Sequence, residues 1–145
     1  MKQEELEIVV DNMPYVYCGC NVKFVLTGTF LLSIFNLIDK YSDIDVLVID
    51  SDKEFWSELL YKYEDKIIDN SMWYNGIKIK LDGIVYNLIQ DDNYCIESDS
   101  TNICIDDCVY LDSMQHALEA KHNLNRDKDK AHFVDINKRL QSLIK

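Results

Sequence analysis

The chain has 145 residues, 26 acids against 15 bases, and a net charge of −11. Its length fits one domain of the usual ~100–150 residues, and 48% apolar content excludes a disordered chain. One proline and four glycines exclude a collagen-like or linker-like chain, and the acidity argues against a general nucleic-acid coat, which needs dense Lys and Arg.

Met1-Lys2-Gln3-Glu4-Glu5 is too acidic for a secretory leader, and no apolar run follows it. Residues 3–12 read as a short amphipathic helix with Leu6, Val9 and Val10 on one side, ending before Pro14. A strand over 21–26 leads to Gly28 and a helix over 29–38, apolar almost all round and therefore buried. The uncharged run 24–38 falls short of the ~20 residues a membrane span needs, and Thr27-Gly28-Thr29 interrupts it, so a cytoplasmic chain without membrane contact is expected. Lys40-Tyr41-Ser42 turns into a β-branched strand over 43–49. Ser51 or Asp52 caps a helix to about residue 64, with Phe55, Trp56, Leu59, Leu60 and Tyr63 at core spacing.

Ile77-Lys78-Ile79-Lys80-Leu81 alternates with period two, and Asp82-Gly83 marks a hairpin into a second strand over 84–89. A polar, acidic loop over 90–102 precedes a short strand near Ile103 or Val109, and helices over 112–123 and 127–144 close the chain. This order predicts an α+β fold: a small mixed β-sheet flanked by helices, with a C-terminal helical pair. Residues 1–110 form the α/β core and 111–145 a helical segment packed on it.

Five cysteines make an odd count, and thiols in a cytoplasmic chain stay reduced. Cys18-x-Cys20 and Cys104-x3-Cys108 offer four sulfurs, but neither spacing is the usual zinc knuckle, so core thiols are the reading. His116, His122 and His132 lack the i,i+4 spacing of a helical metal site and read as surface or packing residues. Trp73 and Tyr74 flank a turn, where they either stack on a base or cover the core.

Asp43 and Asp45 lie two apart on a strand, so their side chains leave one face about 6.6 Å apart along it. Two anions fixed side by side repel and resist desolvation unless a cation or hydrogen bonds compensate. Mg²⁺ suits such a pair because it takes carboxylate oxygens together with substrate phosphates. An isolated Asp-x-Asp is short and common, and alone it reads as the solvated start of a strand. The segment upstream changes that. Gly28 sits between strand and helix, where it either permits a tight turn or lets a phosphate approach the backbone N–H groups of the helix start.

Phe24-Val25-Leu26-Thr27-Gly28-Thr29-Phe30-Leu31-Leu32, followed by Tyr41-Ser42-Asp43-Ile44-Asp45-Val46-Leu47-Val48, resembles the nucleotidyltransferase (DNA polymerase β-like) superfamily. Its signature is a hydrophobic residue, Gly-Gly or Gly-Ser, a buried helix, then acid-hydrophobic-acid-hydrophobic. The chain looks most like the small AbiEii-toxin-like nucleotidyltransferases, since Lys121, then Asn125-Arg126-Asp127-Lys128-Asp129 and Asp135, is similar to their helical Lys…Arg-x-Lys-Asp…Asp pattern. The likeness spans residues 22–137, the middle matching in hydrophobic pattern alone.

The resemblance implies transfer of a nucleotidyl group from an Mg²⁺-loaded nucleoside triphosphate to an acceptor hydroxyl, with a two-metal site. Gly28 and Thr29, with Lys121, Arg126 and Lys128, would bind the nucleotide, and Asp43 and Asp45 the metal. The chain departs from the pattern twice: a single Gly28 is followed by Thr29 where Gly-Gly or Gly-Ser is usual, and the third acid aligns with Asn87 in Tyr86-Asn87-Leu88-Ile89. A neutral amide is a weaker ligand and a poor base. Asp82, Asp91 or Asp92 is the alternative third acid; Asn87 facing the pair, with Asp82 or Asp91 turned away, weighs against transfer. The rival reading is an inactive module of the same fold that binds nucleotide or a partner protein, in the manner of an antitoxin partner.

Charge is uneven. Residues 121–145 carry seven bases against three acids, while the remainder is strongly acidic. The acidic bulk suits a cationic small molecule or a protein as acceptor better than RNA, and the basic tail is the local exception. Lys121 falls on the apolar stripe of its helix, from which it could reach an anion or the Asp43/Asp45 pair. Arg139 or Lys128 pairing with Asp135 on a solvated helix face is the plainer alternative for the tail.

Overall fold

The computed structural model describes residues 2–14, 22–70, 76–94, 103–106 and 108–144. Cys18, Cys20, Trp73, Tyr74 and Cys95 lie outside them. Helix α1 (Gln3–Asp11) buries Leu6 and Val9. Strand β1 (Lys23–Thr27) passes straight into helix α2 (Gly28–Ile34), whose residues 30–34 are all buried. That helix is shorter than its apolar run predicts, because Asn36 turns left-handed at φ +63° and its N–H bonds the Ser33 carbonyl.

Strand β2 (Ile44–Ile49) leads to helix α3 (Lys53–Lys62), capped by Asp52, whose side chain accepts from the Phe55 N–H at 2.9 Å. A short 3₁₀ turn then opens strand β3 (Ile67–Asp69), which the sequence pattern does not announce. Strands β4 (Gly76–Leu81) and β5 (Ile84–Gln90) form the expected hairpin, with Asp82 and Gly83 both at positive φ, as a two-residue hairpin turn requires. Both sites proposed for a later short strand are strands: β6 (Ile103–Asp106) and β7 (Val109–Leu111). Ser113 caps helix α4 (Met114–Leu124), which ends at left-handed Asn125 before helix α5 (Asp127–Ile144).

The strands make one seven-stranded sheet in the order β3-β4-β5-β2-β1-β7-β6. The β1–β7 and β2–β5 pairs are parallel and the others antiparallel, so the predicted mixed sheet is present. Phe24, Leu26, Val46, Val48, Tyr86 and Leu88 join Phe55 and Leu59 of α3 in the main core. Tyr86 is fully buried there, its hydroxyl donating to the Val9 carbonyl at 2.6 Å, which ties α1 to the sheet. The opposite face carries a smaller apolar cluster, Val25, Leu47 and Ile49. Helix α4 packs on α2, and Ile136 of α5 joins Leu32 and Ile38. Arg139 donates to the Asn36 carbonyl at 2.8 Å and pairs with Asp39, rather than with Asp135. Among the described residues no helix is long and apolar enough to cross a membrane.

Candidate active site

Side chains along a strand alternate between faces, so Thr27 shares the face of Val25, and Asp45 that of Leu47 and Ile49. The pairing register aligns these positions across the sheet. Thr27 of β1 opposes Asp45 of β2, Asp45 stands beside Asn87 of β5, and Asn87 opposes Lys78 of β4. One polar row thus crosses four strands on the face of the smaller apolar cluster. Asn87 Nδ2 donates to Asp45 Oδ1 at 3.1 Å, and Lys78 Nζ donates to Asp43 Oδ2 at 3.1 Å.

The glycine turn meets this row. Gly28 has φ +71°, and a Cβ there would run into the Asp45 carboxylate, with Asp45 Cβ and Cγ each 3.2 Å away. Only glycine lets backbone and carboxylate approach so closely. Burial pushes the Asp45 carboxyl above the usual aspartate range; the Asn87 hydrogen bond opposes that shift, the Asp43 charge adds to it, and Lys128 and Lys78 oppose it. A desolvated carboxylate short of positive charge is a cation-seeking group.

Whether the residues fit a divalent ion turns on their donor atoms. The Asn87 Oδ1 oxygen is buried and has no hydrogen-bond partner among the described residues. With the Asp43 and Asp45 carboxylates it makes an all-oxygen donor set suited to a hard cation. Among the described residues no three His, Cys, Asp or Glu side chains gather as a metal cluster. The set fits Mg²⁺ completed by substrate phosphates, which that ion favours over a closed protein cage.

Asp43, Asp45, Gly28, Thr29 and Asn87 line one cleft of about 760 Å³. His116, Ala117, Ala120, Lys121 and Leu124 of α4 line it too, and Arg126, Lys128 and His132 also border it. The sequence-derived nucleotide-binding residues are therefore all on the cleft. Lys121 and Arg126, however, converge on Asp129 instead of the Asp43/Asp45 pair. Lys121 Nζ lies 2.8 Å from Asp129 Oδ1, and Arg126 Nε 2.7 Å from Oδ2. Burial works to raise the Asp129 carboxyl, but hydrogen bonds from Arg126 and Lys121 outweigh it and hold it well below the usual range.

The alternative acids stand elsewhere. Asp82 is exposed at the hairpin tip, and the Asp91 carboxylate accepts from the Asn93 and Tyr94 N–H groups in a turn beyond β5. Asp92 accepts from Gln90. None of the three lines the cleft. Asn87 is the one of the four that stands beside Asp45 on the cleft.

Asp69, Lys78, His116 and His132 also line the cleft and escaped the sequence reading. Lys78 was legible in retrospect, because the Asp82-Gly83 turn fixes it opposite Asn87. His116 and His132 were expected to be surface or packing residues, yet both border the cleft. Burial, then the Lys121 charge, pushes the His132 imidazole below its ordinary value. The His116 Nδ1 atom lies 2.5 Å from Asp112 Oδ2, whose carboxylate is fully buried. Asp112 also accepts from Thr27 Oγ1 at 2.6 Å and from the Tyr94 hydroxyl at 2.5 Å. No sequence spacing joins Thr27, Tyr94 and Asp112; the parallel β1–β7 pairing sets Asp112, at the end of β7, beside Thr27, and Tyr94 reaches it from beyond β5.

No family model matches the sequence, and no curated protein does either. Among solved structures the chain is similar to a Thermotoga maritima protein named a putative nucleotidyltransferase. The match has a TM-score of 0.53 at 16% identity and covers 97% of this chain and 92% of that one. The two share a fold.

Proposed function

We propose that the cleft binds an Mg²⁺-loaded nucleoside triphosphate and passes its nucleotidyl group to an acceptor hydroxyl. The observation that carries this reading is the meeting of Gly28 with the Asp45 carboxylate: turn and acid pair, fifteen residues apart from Gly28 to Asp43, line one cleft of about 760 Å³. Asp43 and Asp45 would hold the ion, with Asn87 Oδ1 as a weaker third oxygen. When bound, Mg²⁺ neutralises phosphate charge and favours departure of pyrophosphate. Gly28 and Thr29 line the cleft, where the Thr29 hydroxyl would meet a phosphate, and Lys128 adds positive charge beside them. The small AbiEii-toxin-like type is the subfamily this reading favours, on the strength of the Lys121, Arg126, Lys128 and Asp129 pattern, with a cytoplasmic setting and an antitoxin-like partner in keeping with it.

A second reading, nucleotide binding without transfer, draws on Asn87. The amide faces Asp45 while Asp82 and Asp91 stand outside the cleft, so the proton acceptor of the superfamily's usual kind is missing. Calorimetric titration of ATP, CTP, GTP and UTP with Mg²⁺ into wild type and Asp43→Ala tests both. Binding that vanishes in the variant supports a metal–nucleotide site, and pyrophosphate release then separates transferase from sensor. Failure of wild type to bind any of the four defeats both.

A further inference from the structure

We infer that His116, oriented by Asp112, accepts the proton of the attacking hydroxyl, the role that Asn87 cannot fill; the inference rests on the metal–nucleotide reading above. His116 stands on the first turn of α4 with its side chain 42% exposed, and lines the same cleft as the aspartates. Its Nδ1 faces a carboxylate with no exposed surface. A carboxylate only accepts hydrogen bonds, so the ring proton belongs on Nδ1 and the lone pair on Nε2.

The orienting group is unusually well fixed. Asp112 takes three bonds, from His116, Thr27 Oγ1 and the Tyr94 hydroxyl, and the Tyr94 ring meets the imidazole edge-on at 4.9 Å between centroids. A histidine kept for packing needs no buried anion behind it, whereas an acid–base histidine does: the carboxylate sets its tautomer and compensates the imidazolium that forms. The location fits as well. Thr27, which holds Asp112, is the cross-strand partner of Asp45, so one hydrogen bond links the acid behind the imidazole to the polar row. Of the cleft's other acids, Asp43 is engaged by Lys78 and Asp45 by Asn87, while Asp69 stands at the end of the edge strand β3.

The step balances. The acceptor oxygen bonds to the α-phosphorus as its O–H breaks, and the proton passes to His116 Nε2. The bond from the α-phosphorus to the α,β-bridging oxygen breaks, and pyrophosphate leaves with that electron pair. Asp112 acts through His116 and is a positioning residue.

The test uses the full chain as wild type, His116→Ala, His116→Gln and Asp112→Asn. Binding of Mg²⁺ with the α,β-methylene analogue of each of the four nucleotides is measured by calorimetry. Pyrophosphate release from the natural nucleotides is measured with water and with glycerol as acceptors. Both His116 variants should bind as wild type does while release falls by about 10²–10⁴-fold, the usual worth of a general base. Added imidazole should restore part of the rate in His116→Ala and none in His116→Gln. Asp112→Asn should lower kcat and leave KM for nucleotide unchanged. Undiminished release in His116→Ala, or no release by a wild type that binds the analogues, overturns the inference and leaves nucleotide binding standing. A wild type that binds no analogue instead overturns the metal–nucleotide reading, and this inference with it.

Discussion

Replacing Gly28 by alanine adds two costs that a second glycine can separate. At φ +71° an L-residue crowds its own Cβ against the following carbonyl, worth about 1–2 kcal/mol. The new Cβ also collides with the Asp45 carboxylate, and forcing a methyl into such a packed site costs about 1–3 kcal/mol. Gly83, at φ +82° on the hairpin tip, has nothing within 4 Å of a built Cβ, so Gly83→Ala carries the first cost alone. The difference between the variants is then the collision, about 1–3 kcal/mol, or a further fall in Tm of about 3–12 °C for a domain of this size. Circular dichroism melts of both variants measure it. Calorimetry should also show Mg²⁺–nucleotide binding lost in Gly28→Ala, where the carboxylate is displaced, and kept in Gly83→Ala. Equal melting temperatures would refute the close approach of turn and acid on which the site depends.

Two further substitutions probe charge. Asn87→Asp restores a third carboxylate beside Asp45, and electron paramagnetic resonance should show Mn²⁺ stoichiometry rising from one to two per chain in the presence of nucleotide; an unchanged stoichiometry counts against the oxygen set described. Asp129→Asn leaves Lys121 as an unpaired charge only 6% exposed, and urea unfolding should show a loss of about 3–5 kcal/mol at neutral pH. Because the folded Asp129 carboxyl is held below its ordinary value of 3.8, its contribution is full above that pH and lost progressively as pH falls from there through the lower folded value, so the variant's stability should be flatter than wild type's on the acid side. Parallel acid limbs would contradict that.

Much of the fold was legible because its signals are local. The Asp82-Gly83 pair specifies a turn with positive φ at both residues, and that turn alone sets the register that places Lys78 opposite Asn87. The Asp52 cap and the α4–α5 boundary are equally local. Strand β3 was missed because three residues at a sheet edge carry no periodicity. The site divides along the same line. Gly28, Asp43 and Asp45 sit on one strand–helix–strand unit and announce themselves through the resemblance. His116 does not, because its significance lies in a buried Asp112 whose other partners, Thr27 and Tyr94, are 85 and 18 residues away. Lys121 looked available for an anion because helical periodicity shows where a stem lies, and it cannot show that Asp129, eight residues on, closes back over the ammonium.

Asn87 and Lys78 are best understood together. A carboxylate at position 87 would face Asp45 at hydrogen-bonding distance, and the two could stay adjacent only by sharing a proton or around a bound cation. The amide removes that requirement. Its Nδ2 donates to Asp45 while its buried Oδ1 takes no hydrogen bond from the described residues, so a hydrogen bond of 3.1 Å holds the two side chains together. Lys78 does the same for Asp43 from the neighbouring strand. The row is thus assembled in advance, but with less negative charge than three acids would give, and its hold on a bare divalent ion is correspondingly weak. On the proposed reading the ion therefore arrives with the triphosphate rather than before it. Bare Mg²⁺ should leave the calorimeter nearly silent at concentrations where the Mg²⁺–nucleotide complex saturates the cleft, and strong binding of the free ion would show that amide and lysine do not set the order.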